Sequence, residues 1–310
     1  NLSWTAVTFF NSSAGTDSAF LAQLDANGSR LKYATYLESN SGLLAINGQK
    51  TVAYVPLNWI DGPALATVNF QTEPAPLFLS GSGNALSYVG AIVSPGELLS
   101  LFGVGIGPAA GVSAAVQDGM IGTTLGGVQV FFDEIAAPVL YASSSQINVQ
   151  APFEIAGRQK VQVKVQYAGG QTNGLNLAVF DAVPANFTTN GDPYGPAVVL
   201  NQDGSLNTMD NPAARGSVVI IFLIGGGVTT PSGRTGQVTP LAPLLHLSAP
   251  VTASVGPKAA TVTFAGAAPE LISGVNQINV RIPDEAQAGS AMPLAIAVGQ
   301  MQLVLKLAIR

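Results

Sequence analysis

The sequence predicts an all-β protein: tandem immunoglobulin-like β-sandwiches behind an N-terminal β segment. Three observations point there. Apolar runs of strand length recur about every ten residues, with almost no helical periodicity. Gly (35) and Pro (20) are plentiful, and only 9% of residues are charged against 47% hydrophobic, a composition suited to many strands joined by tight turns. Finally, Gln146-Ile147-Asn148-Val149-Gln150-Ala151-Pro152 returns 131 positions later (277 − 146) as Gln277-Ile278-Asn279-Val280-Arg281-Ile282-Pro283. A repeat of that size is a small domain rather than a solenoid unit or propeller blade.

Residues 1–80 read as a first β region. Phe20 to Asp25 is a short strand closed by Asn27-Gly28, a hairpin turn signal. Leu31 to Leu37 alternates strictly, and Thr51 to Val55 follows the turn Asn47-Gly48. Pro56, Pro63, Pro74 and Pro76 then break the pattern and suggest a linker or edge segment.

Residues 81–187 read as the first sandwich. Ser94-Pro95-Gly96 leads into the strand Glu97 to Phe102, and Gly126-Gly127 into Val128 to Phe132. Val161 to Tyr167 alternates most cleanly: its valines and Tyr167 belong to a core face, and Gln162, Lys164 and Gln166 to a wet one. Leu175 to Phe180 closes the unit.

Residues 188–310 read as the second sandwich. Gly216 to Phe222 answers the Gly96 strand, while Val251 to Val255 and Ala259 to Phe264 answer the Val128 strand. Leu294 to Val298 and Gln302 to Ile309 finish it, and Pro283 to Gln287 permits one short helical turn. In both copies the repeated phrase follows an apolar run with a proline, Ala137-Pro138-Val139-Leu140-Tyr141 and Ala268-Pro269-Glu270-Leu271-Ile272, and precedes a glycine turn, Gly157 and Gly289.

Composition limits the function classes. A net charge of −5 with 12 Lys plus Arg argues against nucleic acid and against an anionic membrane surface, since both need clustered cations. There is no cysteine, so disulfides, thiolate metal sites and cysteine nucleophiles are excluded. The longest apolar run, Ser217 to Val228, is far short of the ~20 residues of a membrane-spanning helix. The chain begins at Asn1 and not Met, as in a processed chain, an expression product or a piece of something longer.

Several ordered motifs carry a resemblance. Asn84-Ala85-Leu86-Ser87-Tyr88, Ser94-Pro95-Gly96-Glu97, Asn201-Gln202-Asp203-Gly204-Ser205-Leu206-Asn207, Asn211-Pro212-Ala213 and both copies of the Gln-Ile-Asn phrase resemble the uncharacterised C-terminal domain of secreted proteins from Solibacter-type acidobacteria. That resemblance covers roughly residues 80–310 and implies extracellular β-sandwiches, with no particular reaction; strands of this kind also look like the IPT/TIG-like immunoglobulin-like fold. Asp17 to Leu37 is similar to a bacterial β-propeller-type repeat, with Glu38-Ser39-Asn40 in place of its usual glycines. One blade cannot close a propeller.

No catalytic, cofactor or metal site can be assembled from the sequence. Gly103-Val104-Gly105-Ile106-Gly107 lacks the following helix that a dinucleotide site needs and reads as a turn, matched by Gly225-Gly226-Gly227. Asn201-Gln202-Asp203-Gly204-Ser205, with Asn207 and Asp210 nearby, lacks the remaining oxygens of a calcium loop. His246 is the only histidine and has no partner set for zinc or for a triad, and Gly81-Ser82-Gly83 reads as linker and not as part of a nucleophile elbow. Asp133-Glu134 and Asp284-Glu285 are turn charges pointing apart. The recurring amides Gln146, Asn148, Gln277 and Asn279 are expected to satisfy loop backbone, with ligand contact as the other reading. Asn11, Asn27 and Asn186 begin glycosylation sequons, which carry little weight in a bacterial protein.

These readings point to a non-enzymatic extracellular or cell-surface structural protein. Its apolar terminal strands, Trp4 to Phe10 and Gln302 to Ile309, suit head-to-tail strand exchange into a surface polymer or filament. The alternative is a carbohydrate- or surface-polymer-binding module, with Trp4, Trp59, Tyr88, Tyr141 or Tyr194 lining one face. An enzyme is the remaining reading, and no acid, base and nucleophile set supports it.

Overall fold

The computed structural model describes residues 77–310 throughout and, before them, the backbone of five strands. Trp4 to Phe10, both Asn-Gly turns, Asn11, Pro74 and Pro76 lie outside the described residues. The chain divides into two compact units, Asn1–Ser80 and Gly81–Arg310.

In the first unit, β1 (Ala19–Leu24) pairs antiparallel with β2 (Leu31–Leu37). A separate sheet has the order β3 (Ala45–Ile46), β4 (Val52–Trp59), β5 (Gly62–Asn69). Against the linker or edge segment expected at the prolines, Pro56 and Pro63 lie in strands and not in a linker, and the edge fits Pro63, since β5 is an edge strand of this sheet. Pro56 pairs with Leu65 and Pro63 with Asn58 inside the β4–β5 hairpin. β3 reaches only Ala53 and Tyr54 of β4, so among the described residues nothing pairs with the outer edge at Pro56 and no ladder N–H is required there.

In the first half of the second unit, the strands in chain order are β6 (Phe78–Asn84), β7 (Ile92–Val93), β8 (Leu98–Val104), β9 (Val112–Ser113), β10 (Thr124–Leu125) and β11 (Val128–Phe132). β12 (Ile135–Ala137), β13 (Val139–Ala142), β14 (Gln146–Gln150), β15 (Lys160–Tyr167), β16 (Gly170–Gln171) and β17 (Leu175–Val179) follow. They form a sheet of order β10-β11-β15-β17-β7 and another of order β6-β8-β14-β13-β9. Leu99, Leu101, Ile147 and Val149 on one sheet and Val130, Phe132, Val163 and Val165 on the other are buried. Each such side chain contributes about 1.5–3 kcal/mol through burial. Gly81-Ser82-Gly83, expected as linker, lies within β6. A Cβ on Gly83 would stand 2.9 Å from the Tyr88 carbonyl oxygen, so glycine there allows a close backbone approach.

The second half contains β18 (Ala185–Asn186), β19 (Val199–Leu200), β20 (Val218–Ile224), β21 (Thr229–Thr230) and β22 (His246–Leu247). β23 (Val251–Val255), β24 (Lys258–Ala267), β25 (Val275–Arg281), β26 (Gly289–Val298) and β27 (Met301–Ile309) complete it. Its core includes Val219, Ile221, Ile278, Val280, Leu294 and Ile296.

The two halves share their strand register. Gln146 pairs with Phe102 and Ile147 with Leu101, as Gln277 does with Phe222 and Ile278 with Ile221. Phe132 faces Val163 as Val255 faces Leu294. The turns into β8 and β20 also match: Gly96 (φ 76°) donates to Ala151 O and Gly216 (φ 74°) to Ile282 O. One expected equivalence is corrected. The partner of β13 is not Ala268 to Ile272, which is a turn, but the Val262–Ala265 part of β24. Both stretches carry a register shift at the same place, Val139/Tyr141 and Val262/Phe264. β24 runs unbroken from β23 to β25, while Pro138, which lacks an N–H, separates β12 from β13.

Among the described residues there is no α-helix. The helical turn expected over 283–287 is a single turn closed by Ala286 N–H to Pro283 O at 3.0 Å, and a 3-10 turn stands at the matching Phe153–Ile155. No helix of the described residues is long and apolar enough to cross a membrane.

Candidate functional site

Two features stand out in Gly81–Arg310. The first is an aromatic–amide patch built twice. Strand alternation puts Gln146 and Asn148 on the half-buried face of β14, opposite the buried Ile147 and Val149. Register places Phe102 beside Gln146, and Tyr141 and Ser100 beside Asn148. In the second half Phe222 stands beside Gln277, and Phe264 and Ile220 beside Asn279. The amides were expected to satisfy loop backbone, but they bond to each other. Gln146 Nε2 donates to Asn148 Oδ1 at 2.9 Å, and Gln277 Nε2 to Asn279 Oδ1 at 2.9 Å. Ser100 Oγ also donates to Asn148 Oδ1 at 3.2 Å. Among the described residues Gln146 Oε1 and Asn148 Nδ2 have no partner, and neither is a buried orphan, so both are open to solvent. Tyr88 is 54% exposed, and its ring centre lies 6.4 Å from that of Phe102.

The second feature is the seam between the halves. Gln150 Nε2 donates to Ser273 Oγ (3.1 Å), and its Oε1 accepts the Gly236 N–H (2.7 Å). Thr235 Oγ1 accepts the Phe153 N–H (2.9 Å) and donates to Glu154 (2.6 Å). Backbone bonds cross as well: Ile121 N–H to Gly236 O at 2.7 Å and Val238 N–H to Gly119 O at 2.8 Å. Ala85, Leu86 and Leu98 of the first half pack against Ile224, Val275 and Ala268 of the second. The register aligns Val104 with Ile224, yet Val104 is 57% exposed and Ile224 0%. The first half covers that end of the second.

Glu97 sits in this seam, fully buried. Its Oε1 accepts from Asn84 Nδ2 at 2.7 Å, and its Oε2 accepts the Ser94 N–H at 2.6 Å and the Ser94 hydroxyl at 3.0 Å. Asn84 Nδ2 also reaches Val183 O (3.3 Å), and Ser94 Oγ reaches Gly225 O (3.3 Å). Desolvation by burial pushes the Glu97 carboxyl up to about 7, against the lowering effect of the Ser94 and Asn84 bonds. Sequence reading missed its role. The available signals were a lone carboxylate opening an apolar strand and its replacement by Ser217 in the second copy.

The other candidates are local structure. β8 runs to Val104 and no helix follows it; Gly105 (φ 65°) and Gly225 (φ 76°) make matching turns. Asp203 accepts from Ser205 N–H at 3.0 Å in a turn closed at Gly204 (φ 83°), and its bonds to Ser205 hold its carboxyl below the usual range. Asn207 is occupied by Asn201 Oδ1 and by Ala308. His246 is exposed, edge-on to Phe264 at 5.4 Å. Asp133 pairs with Arg158, and Asp284 with Arg281 at 3.3 Å. Asn186 Nδ2 donates to Phe187 O at 3.1 Å. Tyr194 is 69% exposed in the loop between β18 and β19, apart in sequence and strand from the patch. The Trp59 side chain, like Trp4, lies outside the described residues. No group of three His, Asp or Glu able to hold a metal occurs among the described residues.

The C-terminal strand is not spare. β27 pairs with β26 along its length, and Leu305, Leu307, Ala308 and Ile309 are buried in its own half. Donating it to another subunit would empty that core.

No protein family matches the chain, and no curated protein is similar to it in sequence. Among solved structures it is similar to a gamma-CGTase from an alkalophilic Bacillus clarkii, at 13% identity and a TM-score of 0.25 over 84% of this chain and 29% of that one. It is similar also to SGBP-B from a complex xyloglucan utilization locus in Bacteroides uniformis (11%, TM-score 0.24, 76% and 49%). A third is an endo-fucoidan hydrolase of glycoside hydrolase family 107 (10%, TM-score 0.19, 99% and 42%). The chain spans less than half the length of each, and at these scores no function is drawn from them.

Proposed function

We propose that this is a non-enzymatic structural protein of the cell exterior, with tandem immunoglobulin-like halves in Gly81–Arg310 acting as one rigid element. The observation that supports this is the seam. Among the described residues, the one carboxylate raised far above its ordinary range is shut inside it, beside the Ser94 hydroxyl that reaches the Gly225 carbonyl of the second half. A buried, hydrogen-bonded polar junction fixes relative orientation more than it supplies chemistry. The resemblance to the secreted acidobacterial domain family belongs to the same proposal, as does the extracellular setting. Growth into a polymer would use the edge of β27 over residues 301–306 as an acceptor, since β27 itself is committed and its end is already bonded to Ala213 and Asn207. Electron micrographs of purified protein test this: filaments support it, and monodisperse particles at high concentration refute the polymer form.

A second reading, binding of a carbohydrate or surface polymer, has its own observation. The patch around Tyr88, Phe102, Gln146 and Asn148 combines an exposed ring with a solvent-open amide donor and acceptor, the pairing that sugar rings and hydroxyls call for. Retardation on polysaccharide-containing gels, abolished by Tyr88→Ala together with Gln146→Ala, supports it. Equal mobility of wild type and variant on every polysaccharide tried refutes it.

A further inference from the structure

We propose that Glu97 and Ser94 form a proton-operated latch between the two halves: when the carboxyl holds a proton, the Ser94 hydroxyl is released to bond the Gly225 carbonyl, and when it is ionised, Glu97 takes that hydroxyl back. This goes beyond the structural role proposed above, because it makes the tightness of the seam depend on pH.

The geometry fixes where the proton must sit. Asn84 Oδ1 accepts the N–H groups of Leu86 (3.0 Å) and Ser87 (3.1 Å). Its amide therefore cannot flip, and Nδ2 must donate to Glu97 Oε1. The proton belongs on Oε2, because Ser94 Oγ at 3.0 Å can accept it there, while the other lone pair of Oε2 keeps the Ser94 N–H at 2.6 Å and Oε1 faces only the Asn84 donor. Ser94 Oγ also lies 3.3 Å from Gly225 O. A hydroxyl has one proton and can satisfy only one of these acceptors at a time.

With Glu97 neutral, Oε2–H donates to Ser94 Oγ, and Ser94 Oγ–H donates across the seam to Gly225 O. With Glu97 ionised, the charge-assisted bond wins, Ser94 donates to Oε2, and the bond to Gly225 is lost. Gly225 O keeps the Val183 N–H at 2.8 Å, so the seam loosens and does not tear. No atom needs to move far, since both acceptors are already within reach.

The groups facing the carboxyl are neutral. Asn84 comes from the end of β6 and Ser94 from the turn before β8, with the Val183 and Gly225 carbonyls beyond them. The titratable residues on the packed elements are Tyr88 after β6, Glu154 in the 3-10 turn, which accepts from Thr235, and Asp181 before Val183. None is among the causes that shift Glu97, and burial, the largest of those causes, brings its titration near neutrality.

The test is hydrogen exchange of the amides that bond across the junction (Ile121, Val183 and Gly236), corrected for intrinsic rates, with carbon-13 titration of the Glu97 carboxyl on the same samples. We expect the carboxyl to titrate near neutrality, and the protection of these amides to fall about tenfold between pH 5 and pH 8 with the same midpoint. Glu97→Gln should make the profile flat. Should that variant fail to fold, Ser94→Ala keeps the carboxyl and removes the relay; its protection at pH 5 should already match wild type at pH 8 and change no further. Titration of Glu97 in the ordinary carboxylate range, a flat wild-type profile, or an unchanged pH dependence in whichever variant folds would overturn the latch.

Discussion

Gln146 and Asn148 are joined side chain to side chain two residues apart on one strand, Nε2 to Oδ1 at 2.9 Å, and Gln277 and Asn279 repeat the bond at 2.9 Å in the other half. Each pair lies between aromatic residues of the neighbouring strands, Phe102 and Tyr141 in one case, Phe222 and Phe264 in the other. The bond orders the amides on the outer sheet face without drawing them into loops. Asn148→Ala and Asn279→Ala should therefore each cost about 1 kcal/mol in urea unfolding. A double-mutant cycle on Gln146 and Asn148 should return about 0.5–1 kcal/mol of coupling. Additive single effects would show that the pair does not act as one.

Gly225 and Gly157 both adopt positive φ, at 76° and 79°, but their surroundings differ. A Cβ on Gly225 would stand 2.0 Å from the Val183 carbonyl oxygen, while nothing lies within 4 Å of one on Gly157. Gly157→Ala should cost about 1 kcal/mol for the backbone conformation alone. Gly225→Ala should cost about 3 kcal/mol or more, since the seam backbone must move. Equal costs, read from thermal or urea unfolding, would contradict the seam geometry.

Glu97 gives stability a definite pH slope. Its folded value of about 7 lies above the ordinary glutamate value of 4.5, so between these limits the folded state holds a proton that the unfolded state has released. Its contribution is fully present below about 4.5, declines as pH rises toward 7 and is constant above. The loss is on the order of 3 kcal/mol. Unfolding free energies of wild type minus Glu97→Gln should fall by that order between pH 4.5 and pH 7. A difference that stays constant or rises over this window would contradict the burial of this carboxyl.

Tyr88 packs its ring against Phe102 yet is mostly exposed. Tyr88→Ala should change stability by no more than about 0.5 kcal/mol, so any loss of polysaccharide retention in this variant would report on the surface and not on folding. Unfolding midpoints measured beside the gel-retardation assay separate the two.

The strands were legible because their side chains alternate. Val128 to Phe132 and Val251 to Val255 match the sequence reading residue for residue, and the repeated Gln-Ile-Asn phrase marks equivalent strands. What sequence could not show was partnership. Ala268-Pro269 echoes Ala137-Pro138 in letters, but the former lies in a turn, because β24 runs unbroken through the place where Pro138 interrupts the first half. Pro56 looked like a break because its freedom from ladder bonds depends on where β3 ends, and Pro63 because the place of β5 at the sheet edge is set by strand order. Glu97 meets Asn84 and Ser94 inside the first half, but the partners that Asn84, Ser94 and Gln150 find beyond it come only through the packing of one half on the other. Val183 is 99 residues from Asn84, and Gly225 is 131 from Ser94; nothing local in the sequence records such contacts.

Residual dipolar couplings at pH 5, where Glu97 is neutral, test the rigid two-half unit most directly. Amides of Leu98–Val179 and of Val218–Ile309 should fit a single alignment tensor with the orientation described here. Two tensors of different magnitude or orientation would mean that the halves move independently and that the seam does not hold them.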